Sequence, residues 1–261
     1  MKILVTVTEV ADADDEFEIS GTSIADQYLT YDLNEWDDYA IEEAVQLSED
    51  DDDIEVVTAT VGPERVEETI RTALAKGADR AVRVWDDSLA NGTTLDPART
   101  ANLLAGVVEE EDPDLVLSGV QSGDVAIGAT GVALAAEIDF EWGAVVNELD
   151  LDRDAGVTSV HRELEGGVEE LTDIDLPAVL TIQTGINEPR YASLRGIRQA
   201  QSKPLDVKTP DDLGVGVPES PIELTALVEP ESESDTELFE GSAEDTAEQL
   251  ATFLREQGVG A

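Results

Sequence analysis

Cysteine is absent from this 261-residue sequence, histidine and methionine occur once each, and Phe, Trp and Tyr together supply 4% of it. Without cysteine there is no disulfide framework, no thiolate metal site and no Cys nucleophile. With His161 as the sole histidine, a histidine-rich metal cluster is excluded as well. Positive charge is scarce: 15 Lys plus Arg stand against 61 Asp plus Glu, a formal net charge of −46. Sequence-independent nucleic-acid binding rests on clustered cations that neutralise phosphates, so no nucleic-acid partner is expected. Long apolar runs are missing too. Val125–Ala136, bounded by Asp124 and Glu137, falls short of the ~20 residues a spanning helix needs. The start, Met1-Lys2-Ile3-Leu4-Val5, reads as a strand and has no signal-peptide anatomy. A cytoplasmic protein that is not membrane-embedded is expected.

What is present is a globular pattern. Apolar residues make up 41% of the chain, and the length suits one large domain, or a domain with an appendage. The charge then reads as a halophilic adaptation rather than as disorder. Self-repulsion opposes compaction in dilute buffer, and molar salt screens it to a Debye length of about 3 Å.

Four apolar runs read as buried strands: Lys2–Val7, Ile54–Val61, Asp79–Trp85 and Asp114–Val120. Helical periodicity separates them at Glu35–Leu47, Glu64–Lys76 (closed by Gly77) and Pro97–Glu109. Strands alternating with helices imply an α/β fold, a parallel sheet flanked by helices. Beyond residue 140, Ala144–Leu151, Val157–Leu164 and Val168–Leu171 are divided by turn signals and predict an antiparallel insertion, followed by a buried strand at Ala178–Gln183. The expected organisation is an α/β domain over residues 1–203 and an acidic C-terminal arm over 204–261, with a terminal helix at Ala243–Gln257.

Two segments carry candidate chemistry. Gly119-Val120-Gln121-Ser122-Gly123-Asp124 follows the fourth strand and leads into small residues around Gly128 and Thr130. Ligands of open parallel sheets bind at strand carboxyl ends near a topological switch, where glycines and a helix N-terminus favour phosphate. The alternative is that Ser122 or Asp124 caps a helix while the glycines ease packing. Asn34 likewise reads as a helix cap or as a contributor to the same edge, which Gly62-Pro63 also joins. No Walker lysine and no Ser–His–Asp set is present, and nothing points to a stand-alone catalyst. The second segment, 185–208, reverses the charge of its surroundings: Arg190, Arg195, Arg198, Lys203 and Lys208 against Glu188 and Asp206. It reads either as a helix paired with the protein's own acids or as a docking surface for an acidic partner.

Specific words within the chain then resemble a known family. Arg162-Glu163-Leu164-Glu165-Gly166-Gly167, Leu176-Pro177-Ala178-Val179-Leu180-Thr181 and Asn187-Glu188-Pro189-Arg190-Tyr191-Ala192-Ser193-Leu194 are similar to the signature region of electron transfer flavoprotein β subunits. Glu67 through Arg80 and Asn34 through Ala44 resemble further family motifs, and the likeness runs from residue 1 to about 214. With its charge, the chain looks like a halophilic, haloarchaeal member. The resemblance implies an adenine-nucleotide-binding (nucleotide α-hydrolase-like) fold and an electron carrier rather than an enzyme. It implies a heterodimer with an α subunit, FAD shared with that subunit, and transient contact with dehydrogenases and a quinone reductase. It further implies a structural AMP, or in bifurcating members a second FAD, held by Thr6, Asn34, Glu35, Trp36, Asp37, Val61, Gly119, Gln121, Ser122, Gly123, Asp124, Gly128 and Thr130. A recognition loop at 185–201 would dock partners through Arg190, Tyr191, Leu194, Arg195 and Arg198. The chain departs from the family at Thr8, where a basic residue is usual, and at Glu35, Ala129, Gln199 and Gln201. Phe17 is the one aromatic placed to replace a residue β often lends to the flavin.

Overall fold

Uninterrupted apolar runs become strands that are buried on both faces. A computed structural model describes residues 1–90, 96–217, 220, 222–229 and 237–258. In chain order its strands are β1 (Lys2–Thr6), β2 (Glu9–Ala13), β3 (Ile19–Ser20), β4 (Ser23–Ile24), β5 (Leu29–Leu33), β6 (Glu55–Val61) and β7 (Arg80–Val84). They continue with β8 (Leu115–Gly119), β9 (Glu141–Asp152), β10 (Val157–Leu164), β11 (Val168–Asp175), β12 (Ala178–Ile182) and β13 (Leu205–Lys208). The helices are α1 (Glu35–Asp50), α2 (Glu67–Lys76), α3 (Pro97–Glu111), α4 (Thr130–Ile138), α5 (Leu194–Ala200) and α6 (Ala243–Glu256).

Nine strands form one sheet in the order β11-β10-β9-β12-β8-β1-β6-β7-β13. Pairing is parallel from β9 through β12, β8, β1, β6 and β7 to β13, and antiparallel among β9, β10 and β11. The expected α/β architecture with an antiparallel insertion is therefore present. Alternation along β1 divides the core: Ile3 and Val5 face one side with Ile41, Ile70 and Leu74, whereas Leu4 faces the other with Leu103, Val107 and Leu134. Helices α1 and α2 cover the first face, α3 and α4 the second.

Chain order reverses at β1, with β6 on one side and β8 on the other, which makes the gap between the carboxyl ends of β1 and β8 a topological switch point. The segment between β1 and α1 folds as an antiparallel ribbon of β2 and β5 beside that gap. Chain contacts define a unit from Met1 to Ala226 and a second from Leu227 to Ala261. In the second, α6 carries a capping box between Ser242 and Asp245, and Phe239 meets Phe253 edge to face at 6.0 Å. Among the described residues no helix is long and apolar enough to cross a membrane.

One of the two alternatives read from the sequence is overturned here. The helix after β8 starts at Thr130, and neither Ser122 nor Asp124 caps it. Ala126 (φ 54°) and Gly128 (φ 65°) lie in the left-handed region, so a right-handed helix cannot begin until the chain has passed them. Ser122 and Asp124 instead accept the Val125 amide at 3.4 and 2.7 Å, closing a local turn.

Candidate functional site

A cavity of about 140 Å³ opens at the switch point. Thr6 ends β1, Val61 ends β6 and Gly119 ends β8, and all three line it. Gln121, Ser122, Asp124, Gly128 and Thr130 line it from the loop after β8, and Asn34 and Asp37 from the first turn of α1. Of the residues singled out from the sequence, Glu35, Trp36 and Gly123 do not. The Trp36 indole turns to donate to Gln183 Oε1 at 3.1 Å.

Asn34 sits at the N-cap position of α1, but its side chain makes no cap bond. Its Nδ2 donates to the Gln121 carbonyl at 2.9 Å, and its Oδ1 accepts the Gly123 amide at 3.2 Å. A single buried amide thus fixes the loop after β8 against α1. Asp37, 3% exposed, does the same for the strands. Its carboxylate accepts the Thr8 amide at 2.7 Å and the Gly119 amide at 2.9 Å, tying the ends of β1 and β8 together. Burial pushes this carboxyl up to about 7, against the pull of those amides and of Asn34.

Helices α3 and α4, which both open onto the cavity, differ at their N-termini. Asp96 caps α3 by accepting from Ala98 and Arg99 at 3.0 and 3.3 Å, with Pro97 in the first turn. Helix α4 follows Ala129, which has no side-chain oxygen, so its first-turn amides keep their positive end uncapped where Ala129 and Thr130 line the cavity. Val61, Trp85 and Leu104 add apolar wall. Sequence reasoning missed Trp85, Arg65 and the start of α3. Their signal was positional: Arg65 follows Gly62-Pro63 at the end of β6, the edge where ligands gather.

A second surface lies on the α1 and α2 side. Asn187 donates to the Tyr39 carbonyl and Glu43 at 3.1 and 2.9 Å, and Arg190 pairs with Glu42 and Glu49 at 2.7 and 2.6 Å, which pins this loop to α1. Arg71 of α2 donates to the carbonyls of Ala200 and Lys203 at 2.7 and 2.8 Å. In return, Lys203 donates to Leu74 and Ala78 at 3.0 and 2.6 Å, at the C-terminal end of α2. Lys208 pairs with Glu110 at 2.7 Å. Three of the five cations in this segment are thereby bound to the chain's own residues, while Arg195 and Arg198 form no ion pair among the described residues. Tyr191 (97% exposed), Leu194 (78%) and Ile197 (45%) stand beside them.

His161 lies on β10, 3.7 Å from Glu148 and 3.5 Å from Glu169, and no group of acids and histidine able to hold a metal occurs among the described residues.

Residues 21–213 match the Electron transfer flavoprotein domain. The chain is 43% identical to the electron transfer flavoprotein subunit beta of Methylophilus methylotrophus, with 98% of each chain covered. It is 37% identical to the mitochondrial subunit beta of Oryza sativa subsp. japonica, covering 88% of this chain and 90% of the relative. To the subunit beta of Homo sapiens it is 35% identical, over 99% and 98%. A domain match over most of the chain and a likeness that runs nearly its full length place it: the chain belongs to the β subunits of the electron transfer flavoproteins.

Proposed function

We propose that this chain pairs with a larger α subunit to form a carrier that takes electrons from dehydrogenases and delivers them to a quinone reductase, and that its own cavity holds AMP as a structural ligand. FAD, shared with the α subunit, supplies the redox chemistry when bound. This chain's residues hold, orient and dock. The observation that carries the reading is the cavity at the switch point, where the uncapped start of α4 and the apolar wall of Val61, Trp85 and Leu104 meet. Amides at a helix N-terminus suit a phosphate, and a flat apolar wall suits a purine. Gly119 fits the same picture, because a Cβ there would lie 2.5 Å from Asp37 Oδ1 and spoil the joint between β1 and β8. Thr6, Asn34, Asp37 and the 119–130 loop would form the nucleotide site, with Glu35 and Trp36 acting from behind it.

The surface at 185–201 supports transient docking. Leu194 is an apolar anchor, and Arg195 and Arg198, without an ion pair among the described residues, are charges on its rim, an arrangement in which one buried side chain supplies energy and the rim steers encounter. Arg190 holds the loop in place. The acidity supports a cytoplasm of high salt.

The test is to co-express the tagged chain with an α subunit in a salt-tolerant host, record the visible spectrum, and identify nucleotides released by acid. A yellow two-chain complex releasing FAD and AMP is expected. Two FAD and no AMP would move the reading to bifurcation. A colourless single chain with an adenine nucleotide alone would replace it with a regulatory nucleotide-binding module.

A further inference from the structure

Three of the residues lining the cavity are acids, Glu9, Asp37 and Asp124, and among the described lining residues Arg65 is the only cation. An anion entering this space meets local repulsion and the field of a chain whose formal charge is −46. The partial charge at a helix N-terminus, about half an elementary unit, is small against a phosphate dianion. Arg65 is built to supply the rest. Its Nε donates to Glu9 Oε1 at 2.6 Å, and its guanidinium carbon lies 3.7 Å from the centroid of the Tyr31 ring. The Glu9 side chain, 4% exposed, is itself fixed, because its second oxygen accepts the Thr69 hydroxyl at 3.2 Å. One edge of the guanidinium plane is thus held by Glu9 and its face by Tyr31. Its two Nη groups donate to no described residue. Held on one edge and one face, the guanidinium of this half-exposed side chain presents the fork geometry that binds phosphate through two parallel bonds.

We propose that Arg65 is the anion-recognition residue of this cavity. Its Nη groups take the phosphate of the bound adenine mononucleotide, completing from the β6 side the subsite that the start of α4 opens from the β8 side. The inference rests on the cavity being a nucleotide site. Glu9 is then a positioning residue that acts through Arg65. The site distinguishes a nucleoside monophosphate from the nucleoside, because the charged fork has nothing to pair with when the phosphate is missing.

The test uses the heterodimer freed of nucleotide, titrated with AMP and separately with adenosine, for the wild type, Arg65→Gln and Arg65→Lys. Arg65→Gln is expected to weaken AMP binding roughly tenfold or more, the worth of a charge-assisted pair, with adenosine affinity unchanged and partial rescue by Arg65→Lys. Flavin content and circular dichroism report whether each variant is intact. If Arg65→Gln fails to assemble, Glu9→Gln replaces it, with a smaller loss for AMP and none for adenosine. Equal AMP affinity in wild type and variant overturns the role of Arg65 while leaving the nucleotide site standing, and so does an equal loss for AMP and adenosine. A wild type that binds neither compound overturns the nucleotide reading, and Arg65's role with it.

Discussion

Asp37 and Gly119 form a joint that tolerates no extra atom. The Gly119 amide donates to Asp37 Oδ1 at 2.9 Å, and a Cβ on Gly119 would lie 2.5 Å from that oxygen and 2.9 Å from the Asp37 backbone nitrogen. Neither atom is the loose end of a flexible side chain. Gly119→Ala is therefore expected to destabilise the chain by about 1–3 kcal/mol, the range for overpacking a filled interior. Denaturant unfolding at fixed high salt measures it. A midpoint equal to wild type would show that the strand ends can separate freely.

Asp37 also makes stability depend on pH. Its carboxyl titrates at about 7 in the folded chain against an ordinary value of 3.8. A raised acid binds its proton more tightly when folded, so its contribution is complete below the ordinary value and fades as pH rises through the folded one. The stability difference between wild type and Asp37→Asn should thus shift against wild type by up to about 4 kcal/mol between roughly pH 4 and pH 7. Denaturation of both proteins at several pH values checks the slope; parallel curves would contradict it.

The opposite sign applies at the other end of the sheet. Glu111, with its side chain 10% exposed, receives Arg80 Nη1 and Nη2 at 2.6 and 2.5 Å and Lys2 Nζ at 3.0 Å. Arg80, assisted by Lys2, holds this carboxyl down at about 2 against an ordinary 4.5. Its contribution is complete above the ordinary value and is lost as pH falls towards the folded one. Glu111→Gln should cost about 3 kcal/mol near neutrality and almost nothing near pH 2. Acid titration of unfolding in both proteins reads the difference.

Two neighbours in the docking loop should separate by phenotype. Leu194→Ala removes a side chain that is 78% exposed, so thermal stability should hold while electron transfer from a partner dehydrogenase slows about tenfold or more. Arg190→Ala breaks the pairs with Glu42 and Glu49 and leaves the buried Glu42 without its cation, so the chain itself should lose about 1–3 kcal/mol. Melting curves and stopped-flow flavin reduction together distinguish them. Loss of stability in Leu194→Ala would mean that its side chain packs inward.

Much of the sheet was legible because β1, β6, β8 and β12 are buried on both faces, which forces continuous apolar runs. The edge strand β13, Leu-Asp-Val-Lys, gave no such signal, since a strand with one free side can carry charge. The ribbon of β2 and β5 was illegible for the same reason. Glycine punctuation led to the β8 half of the cavity. The β6 half was reached only in part: Val61 and Gly62-Pro63 marked it, but Arg65, Trp85 and Leu104 converge with them only after the sheet is assembled. Charge counting found the basic segment but could not divide it: Lys203 answers helix carbonyls and Arg190 answers α1, whereas Arg195 and Arg198 face outward. The alternative that Ser122 or Asp124 caps the following helix fails at a left-handed alanine, which leaves no mark in sequence.

The exchange of C-terminal caps between α2 and α5 has a dynamic consequence. Arg71 closes the end of α5 while Lys203 closes the end of α2, so neither helix can fray without stripping the other of its cation. The two should open as one cooperative unit, with matched amide exchange rates, and a seven-residue helix at the surface inherits the persistence of its buried neighbour. Leu194 and its flanking arginines are then presented on a stationary platform, and a partner that lands there meets side chains already in position.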